Sequence, residues 1–241
     1  MKRFPVLAGM LAVMLLCTPL HAAAVGYGQG TERDAENRPA GAVQFQAEYG
    51  KYGAYALSDD KNRIILTFDQ GYENGYTAGI LDTLKEKGVS VVFFLTGDYA
   101  KREPELVKRM LAEGHTLGNH GMRHAALPAL NDAETEDEIL SLHKLVQTDY
   151  GYEMQYFRPP CGEYTPEALA KIQSLGYRTV FWSAAYVDWK TDDQPDPAEA
   201  LALLTDAAHG GAVYLLHSVS ATNAAILGDL IDALRAKGYT L

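Results

Sequence analysis

The run Ile64-Ile65-Leu66-Thr67-Phe68 stops on Asp69-Gln70-Gly71. It is too continuously apolar for a strand with one wet face. It reads as a strand buried on both sides, the kind found in parallel sheets covered by helices. Gly71 then breaks the run, so Asp69 and Gln70 fall at its C-terminal end.

Outward from this strand the chain alternates. Ile80, Leu81 and Leu84 carry helical spacing up to Gly88, and Val89–Leu95 is a second buried strand. Glu105–Leu111 reads as a helix ending at Gly114, His115–Gly118 as a third strand, and Ile139, Leu142, Leu145 and Val146 as a helix. Tyr156–Arg158 leads into Pro159-Pro160. Leu169, Ile172 and Leu175 form a helical stripe closed by Gly176, and Tyr177–Trp182 and Ala212–Leu216 are further strands. Leu227, Leu230, Ile231 and Leu234 mark a last helix and Tyr239–Leu241 a last strand. About seven parallel strands alternating with helices predict an α/β fold, a small or incomplete (β/α) barrel in one domain over residues 61–241.

Two segments precede it. Residues 25–60 show no apolar periodicity and hold Gly26, Gly28, Gly30, Pro39, Gly41, Gly50 and Gly53 among Tyr27, Tyr49, Tyr52 and Tyr55. They read as an irregular arm packed on the domain. Residues 1–24 place Lys2 and Arg3 before an apolar run from Phe4 to Leu20, then Ala22, Ala23 and Ala24. That is the plan of an export signal with its cleavage site, which places the protein in the cell envelope or outside the cell; an uncleaved anchor is the alternative.

The 241 residues carry 31 acidic against 21 basic side chains, a formal charge of −10. Loss of residues 1–24 removes two basic residues and sharpens this to −12. No basic patch offsets it, which excludes a nucleic-acid partner. The exported part keeps a single cysteine, Cys161, so no internal disulfide supports the fold. Nothing in the sequence marks an oligomer, and a monomer is expected.

In β/α barrels chemistry sits at the C-terminal ends of strands. Here those ends carry Asp69 and Gln70, then Asn119, His120 and His124, then Arg158, a loop with Asp188 and Trp189, and finally His217. His120 and His124, four apart, suit a divalent metal or are two surface histidines. Asp69 fits a general base acting on water, or a buried partner for Arg158. Arg158 holds that carboxylate ionised or makes a purely structural ion pair, and both readings require the same contact. His217, tuned by Asp188, fits a general acid, or is a satisfied core histidine. Together the set reads as a metal-assisted hydrolase.

Thr67-Phe68-Asp69-Gln70-Gly71, His120 with His124, Phe157-Arg158-Pro159-Pro160, Asp188-Trp189 and Leu216-His217 occur in the order of the five motifs of the polysaccharide deacetylases. The chain over about residues 60–241 resembles this family, the family 4 carbohydrate esterases with a NodB-homology domain. It is most similar to the branch that makes muramic δ-lactam, through Gly71-Tyr72-Glu73-Asn74-Gly75-Tyr76-Thr77, Phe181-Trp182-Ser183, Asp188-Trp189-Lys190 and Leu215-Leu216-His217-Ser218-Val219-Ser220 with Asn223. The Tyr52–Leu57 stretch resembles that branch's N-terminal extension.

The resemblance implies a distorted barrel that removes acetyl groups from muramic acid lacking stem peptides, a step toward the lactam of spore cortex. Its partners would be a peptidoglycan glycan strand and an amidase that strips the peptides. Asp69 matches the base, Arg158 its tether, His217 the acid and Asp188 the residue tuning it. His120 and His124 match the ligands of a divalent ion, zinc, cobalt or manganese. Trp189 and Leu216 match the acetate pocket, and the turn Pro160-Cys161 lends a main-chain N–H to the oxyanion. Gln70 departs from the pattern, because most of the family has a third ligand, an aspartate, there. An amide holds a divalent ion less tightly than a carboxylate. N-acetylglucosamine of peptidoglycan or chitin, O-acetyl xylan, and a glycan-binding protein without activity are the alternatives. Trp182, Tyr186, Trp189 and Tyr72 are candidates for stacking on sugar rings, or are core.

Overall fold

The computed structural model describes residues 25–241, so the segment read as an export signal, 1–24, lies outside the described residues. The strands are β1 Val25–Gly26, β2 Ala54–Tyr55, β3 Ile65–Gln70, β4 Val92–Leu95, β5 Thr116–Asn119, β6 Tyr156–Phe157, β7 Glu163–Tyr164, β8 Arg178–Val180 and β9 Val213–His217. The helices are α1 Ala40–Tyr49, α2 Thr77–Lys87, α3 Gly97–Arg102, α4 Pro104–Ala112, α5 Asp132–Tyr150, α6 Pro166–Ser174, α7 Pro197–Asp206 and α8 Ala221–Ala236.

The Ile64–Phe68 run lies where its composition demands. β3 pairs in parallel with β9 on one side and β4 on the other. The sheet runs β2-β8-β6-β5-β4-β3-β9, all parallel, with helices covering it. β9 meets the other side of the sheet through isolated bridges, Leu57 to Ala212 antiparallel and Ala184, just past β8, to Tyr214 parallel. The result is a curled sheet that stops short of a closed barrel.

Register does the work of assembling a site. Asp69 pairs with His217, Gln70 with Leu95, Leu95 with Asn119, and Asn119 with Phe157. His120 and Arg158 are the next residues along their strands. Four chemically competent side chains therefore reach one rim because the strands end at the same level, before any side-chain contact is considered. Beneath the rim the core is apolar and dense: Phe68 stacks on Phe93 with centroids 5.5 Å apart, packed among Leu66, Leu81, Leu117 and Phe157.

Helix ends follow local chemistry. Asn131 and Glu134 form a reciprocal capping box at the start of α5, and Ser220 caps α8. Gly88 takes a left-handed conformation, φ 61°, to end α2, as the sequence predicts.

Two readings are corrected. Residues 25–60 are not irregular. They contain α1 and contribute β2 to the main sheet, while β1 pairs antiparallel with β7. α1 shows no periodicity because it buries only Ala42 and Phe45, and Phe45 is held by rings, with Tyr27, Tyr49, Tyr164 and Phe181 within 5.3 Å of its centroid. Tyr239–Leu241 is not a strand of the sheet. It touches the sheet's start through one bridge, Arg63 to Thr240, so the seventh strand is β2 at the other edge.

Candidate active site

The rim encloses a cavity of about 540 Å³ lined by Asp69, Gly71, Tyr72, Thr96, Asp98, His120, Met122, Arg123, His124, Trp189, His217 and Val219. That size is usual for a small-molecule site.

On one side stands Asp69. Arg158 Nη1 donates to its Oδ1 at 2.7 Å, and His120 Nε2 lies 3.4 Å from its Oδ2. Arg158 is fully buried, and every polar edge it shows is met. Nε donates to the Val180 carbonyl, Nη2 to the Phe181 carbonyl, and the guanidinium lies 4.1 Å from the Phe94 ring centroid. Burial works against a charge on Asp69. Arg158, His120 and His217 together outweigh it, and the carboxyl is held below its ordinary value.

His120 donates from Nδ1 to the Arg158 carbonyl at 2.8 Å, which leaves the Nε2 lone pair facing the cavity side of Asp69. Burial lowers its pKa to about 4, so the ring is neutral at working pH. His124 lies beside it, ring centroids 4.8 Å apart and planes at 77°, and burial lowers its pKa too. His124 takes a left-handed backbone, φ 57°.

On the other side His217 is bound twice by one carboxylate. Its Nδ1–H meets Asp188 Oδ1 at 2.7 Å and its main-chain N–H meets Oδ2 at 2.8 Å. Asn223 Nδ2 donates to the same Oδ2. Burial pulls the imidazole pKa down, the Asp188 bond and charge push it up, and the net is upward. The base side thus favours an ionised carboxylate, and the acid side favours a protonated imidazole. Pairs of groups with pKa values driven apart are how one site runs base and acid chemistry at a single pH.

The other sequence candidates sort by position. Trp189 lines the cavity, half exposed, its ring 5.7 Å from His217; Tyr72 lines it too. Trp182 and Tyr186 are partly buried and bonded inward, to Gln29 and Asn223. Leu216, Pro160 and Cys161 are not among the lining residues: Leu216 and Pro160 are buried, and Cys161 is exposed on a turn with φ 57°. Leu216 pairs with Phe68 in the register of β9 with β3 and is buried beneath the rim. Gln70 is also off the cavity. Its Nε2 donates to Ser218 Oγ, and its buried Oε1 has no partner.

No cluster of three His, Cys, Asp or Glu suited to a metal occurs among the described residues. The two neutral imidazoles, one with its outer nitrogen anchored on a carbonyl, fit a divalent ion as a two-histidine site. Gln70 is tied to Ser218 and adds no carboxylate to them.

Asn119, already on the rim by sequence, and Glu138, which no motif marks, support the site. Asn119 Oδ1 accepts from Gly121 N, and its Nδ2 donates to the Ile139 carbonyl. Glu138, fully buried, accepts through Oε1 from Arg123 N and Ala125 N, while its main-chain oxygen takes Met122 N. The turn carrying the two histidines is therefore fastened to α5. A signal existed: Glu138 sits on the stripe Thr135, Ile139, Leu142, Val146, where a charge has no business unless it is bonded.

Comparison with known proteins agrees with this geometry. Residues 56–180 match the family model described as polysaccharide deacetylase. The chain is 42% identical over 214 residues, 88% of its length and 81% of the other's, to the peptidoglycan-N-acetylmuramic acid deacetylase PdaA of Bacillus subtilis. The crystal structure of Bacillus subtilis PdaA, a family 4 carbohydrate esterase, superposes with a TM-score of 0.84 at 40% identity, covering 90% of this chain and 93% of that one. A peptidoglycan-N-acetylglucosamine deacetylase of Bacillus cereus is 37% identical over 139 residues, 57% of this chain and 50% of the other. The chain belongs to the polysaccharide deacetylases, hydrolases that remove acetyl groups from carbohydrate amides and esters.

Proposed function

We propose that this enzyme removes the N-acetyl group from N-acetylmuramic acid in peptidoglycan strands that lack stem peptides, a step toward muramic δ-lactam in spore cortex. The single observation that carries the substrate is the 42% identity, over most of both chains, to a deacetylase named for N-acetylmuramic acid. Export through residues 1–24 brings the enzyme to the wall, and an amidase must act first to clear the stem peptide.

The chain's own groups supply the steps. Asp69, ionised through Arg158, removes a proton from the attacking water beside the acetamide carbonyl. His217, protonated against Asp188, delivers a proton to the departing amine. The main-chain N–H of Cys161 is the proposed donor to the oxyanion. His120 and His124 are the residues that would hold a divalent ion, zinc, cobalt or manganese, which supplies carbonyl polarisation and a more acidic water when bound. Trp189 and Tyr72 offer exposed ring faces to the glycan.

The test is acetate release from glycan strands stripped by amidase, compared with N-acetylglucosamine oligomers, analysed by mass with and without chelator. Loss of acetyl from the muramic sugar is expected. Release from glucosamine alone overturns the assignment.

A further inference from the structure

We propose that Arg123 is the residue that selects the substrate, by binding the lactyl carboxylate of a muramic acid whose stem peptide is gone. The inference rests on the muramic reading above and adds to it the group that enforces it.

The argument begins with the sugar. Muramic acid differs from glucosamine by a lactyl ether on the ring carbon next to the one bearing the acetamide. With the acetamide between Asp69 and His217, the lactyl group leaves the adjacent ring carbon, close enough to be met by residues of the same lining. A group that reads it must line the cavity, and Arg123 does.

Charges around the cavity leave Arg123 alone in this role. Arg158 is buried, off the lining, and bound to Asp69. His120 and His124 are the residues that would hold a divalent ion, and His217 is committed to the leaving amine. Asp98 is exposed and answered by Arg102 at 2.8 Å. Arg123 is the one permanently charged cation among the lining residues.

Its placement is built. Nη1 donates to Asp137 at 2.9 Å, and Nη2 lies 3.0 Å from Glu138 Oε2, an ion pair without hydrogen-bond alignment. Glu138 fixes the main chain of the same residue through Oε1 at 2.7 Å. The guanidinium is thereby aimed, yet its side chain remains 54% exposed, with Nε–H and the outer N–H groups free to meet a carboxylate. An enzyme of net charge −10 working on an anionic polymer gains from one local cation where the substrate's own charge arrives. A lactyl carboxyl still joined to a peptide is an amide and carries no charge there, so the same contact favours stripped strands.

The experiment measures acetate release from two substrates: amidase-stripped strands with free lactyl carboxylates, and the same strands with that carboxyl converted to its methylamide. The wild type is expected to prefer the carboxylate. Arg123→Ala is expected to raise KM for the carboxylate about ten- to a hundredfold, the range of a charge-assisted bond, with kcat kept and the amide rate unchanged. Arg123→Lys falls between, since it keeps the charge and loses the fork. Arg123→Gln, which keeps bulk, guards against a folding defect and should match the alanine variant. Equal wild-type rates on both substrates, or a loss of kcat on both in the variants, overturns the role of Arg123 while leaving muramic deacetylation in place. Wild-type release from N-acetylglucosamine oligomers and from neither muramic substrate overturns both.

Discussion

Two buried ion pairs face each other across the cavity and use the same device with opposite sign. In Asp69–Arg158 the permanent charge is the cation, and the titrating partner is a carboxylate. In His217–Asp188 the buried partner is the anion, and the titrating group is an imidazole. Both contacts measure 2.7 Å, and both supporting residues are fully buried. The difference lies in how each supporting charge is itself supported. Arg158 leans on two carbonyls and an aromatic face, Asp188 on two N–H donors, one of them the main chain of the residue it tunes. Each titrating group thus has its own supporting charge, although Asp69 and His217 also feel each other across the cavity.

The largest effect is expected from Asp69→Asn, which removes the base. kcat/KM should fall about 10³- to 10⁴-fold, and a residual rate within tenfold of wild type would refute the assignment of Asp69. Arg158→Gln should follow. It leaves Asp69 buried without its counter-charge, so the carboxyl pKa climbs and the ascending limb of the pH–rate profile moves to higher pH. Denaturant unfolding should show a loss of about 3–5 kcal/mol, as for any buried pair broken on one side. An unmoved limb would mean that the pair is structural only.

Asp188→Asn acts on the other half. Its charge raises the His217 pKa, and without it burial pulls the imidazole down. Deprotonation then occurs at lower pH, so the descending limb shifts to the acid side. Loss of activity should grow as pH rises, and the ascending limb should move less than the descending one. An unmoved descending limb would refute the tuning of His217 by Asp188. The smallest change is expected from Trp189→Ala: an exposed ring at the cavity edge should cost a few-fold in KM with kcat kept, consistent with about 1 kcal/mol of stacking.

Much of this was readable from residues alone, for a physical reason. Buried parallel strands advertise themselves as continuous apolar runs, and their ends carry the polar residues. The strand ends in the sequence put Asp69, His120, Arg158 and His217 on one rim, and the contact required between Asp69 and Arg158 is present at 2.7 Å. What escaped was stabilised by something other than a stripe. α1 stands on one phenylalanine in a nest of rings, and α7 buries only Ala200 and Leu204 while Leu203 is exposed. α3 is six residues long, too short to show a period. Glu138 and Arg123 were passed over because their partners come from a helix and a turn that only the fold brings together.

The Asp69–Arg158 contact also bears on how the enzyme comes into being. The two residues are 89 positions apart, and they meet only after β3, β4, β5 and β6 have aligned in order. Contacts of such separation close late, since loop entropy must be overcome before they return anything. A refolding chain should therefore regain helical signal well before it regains turnover. The delay between the two clocks the moment at which the sheet locks its arginine in place.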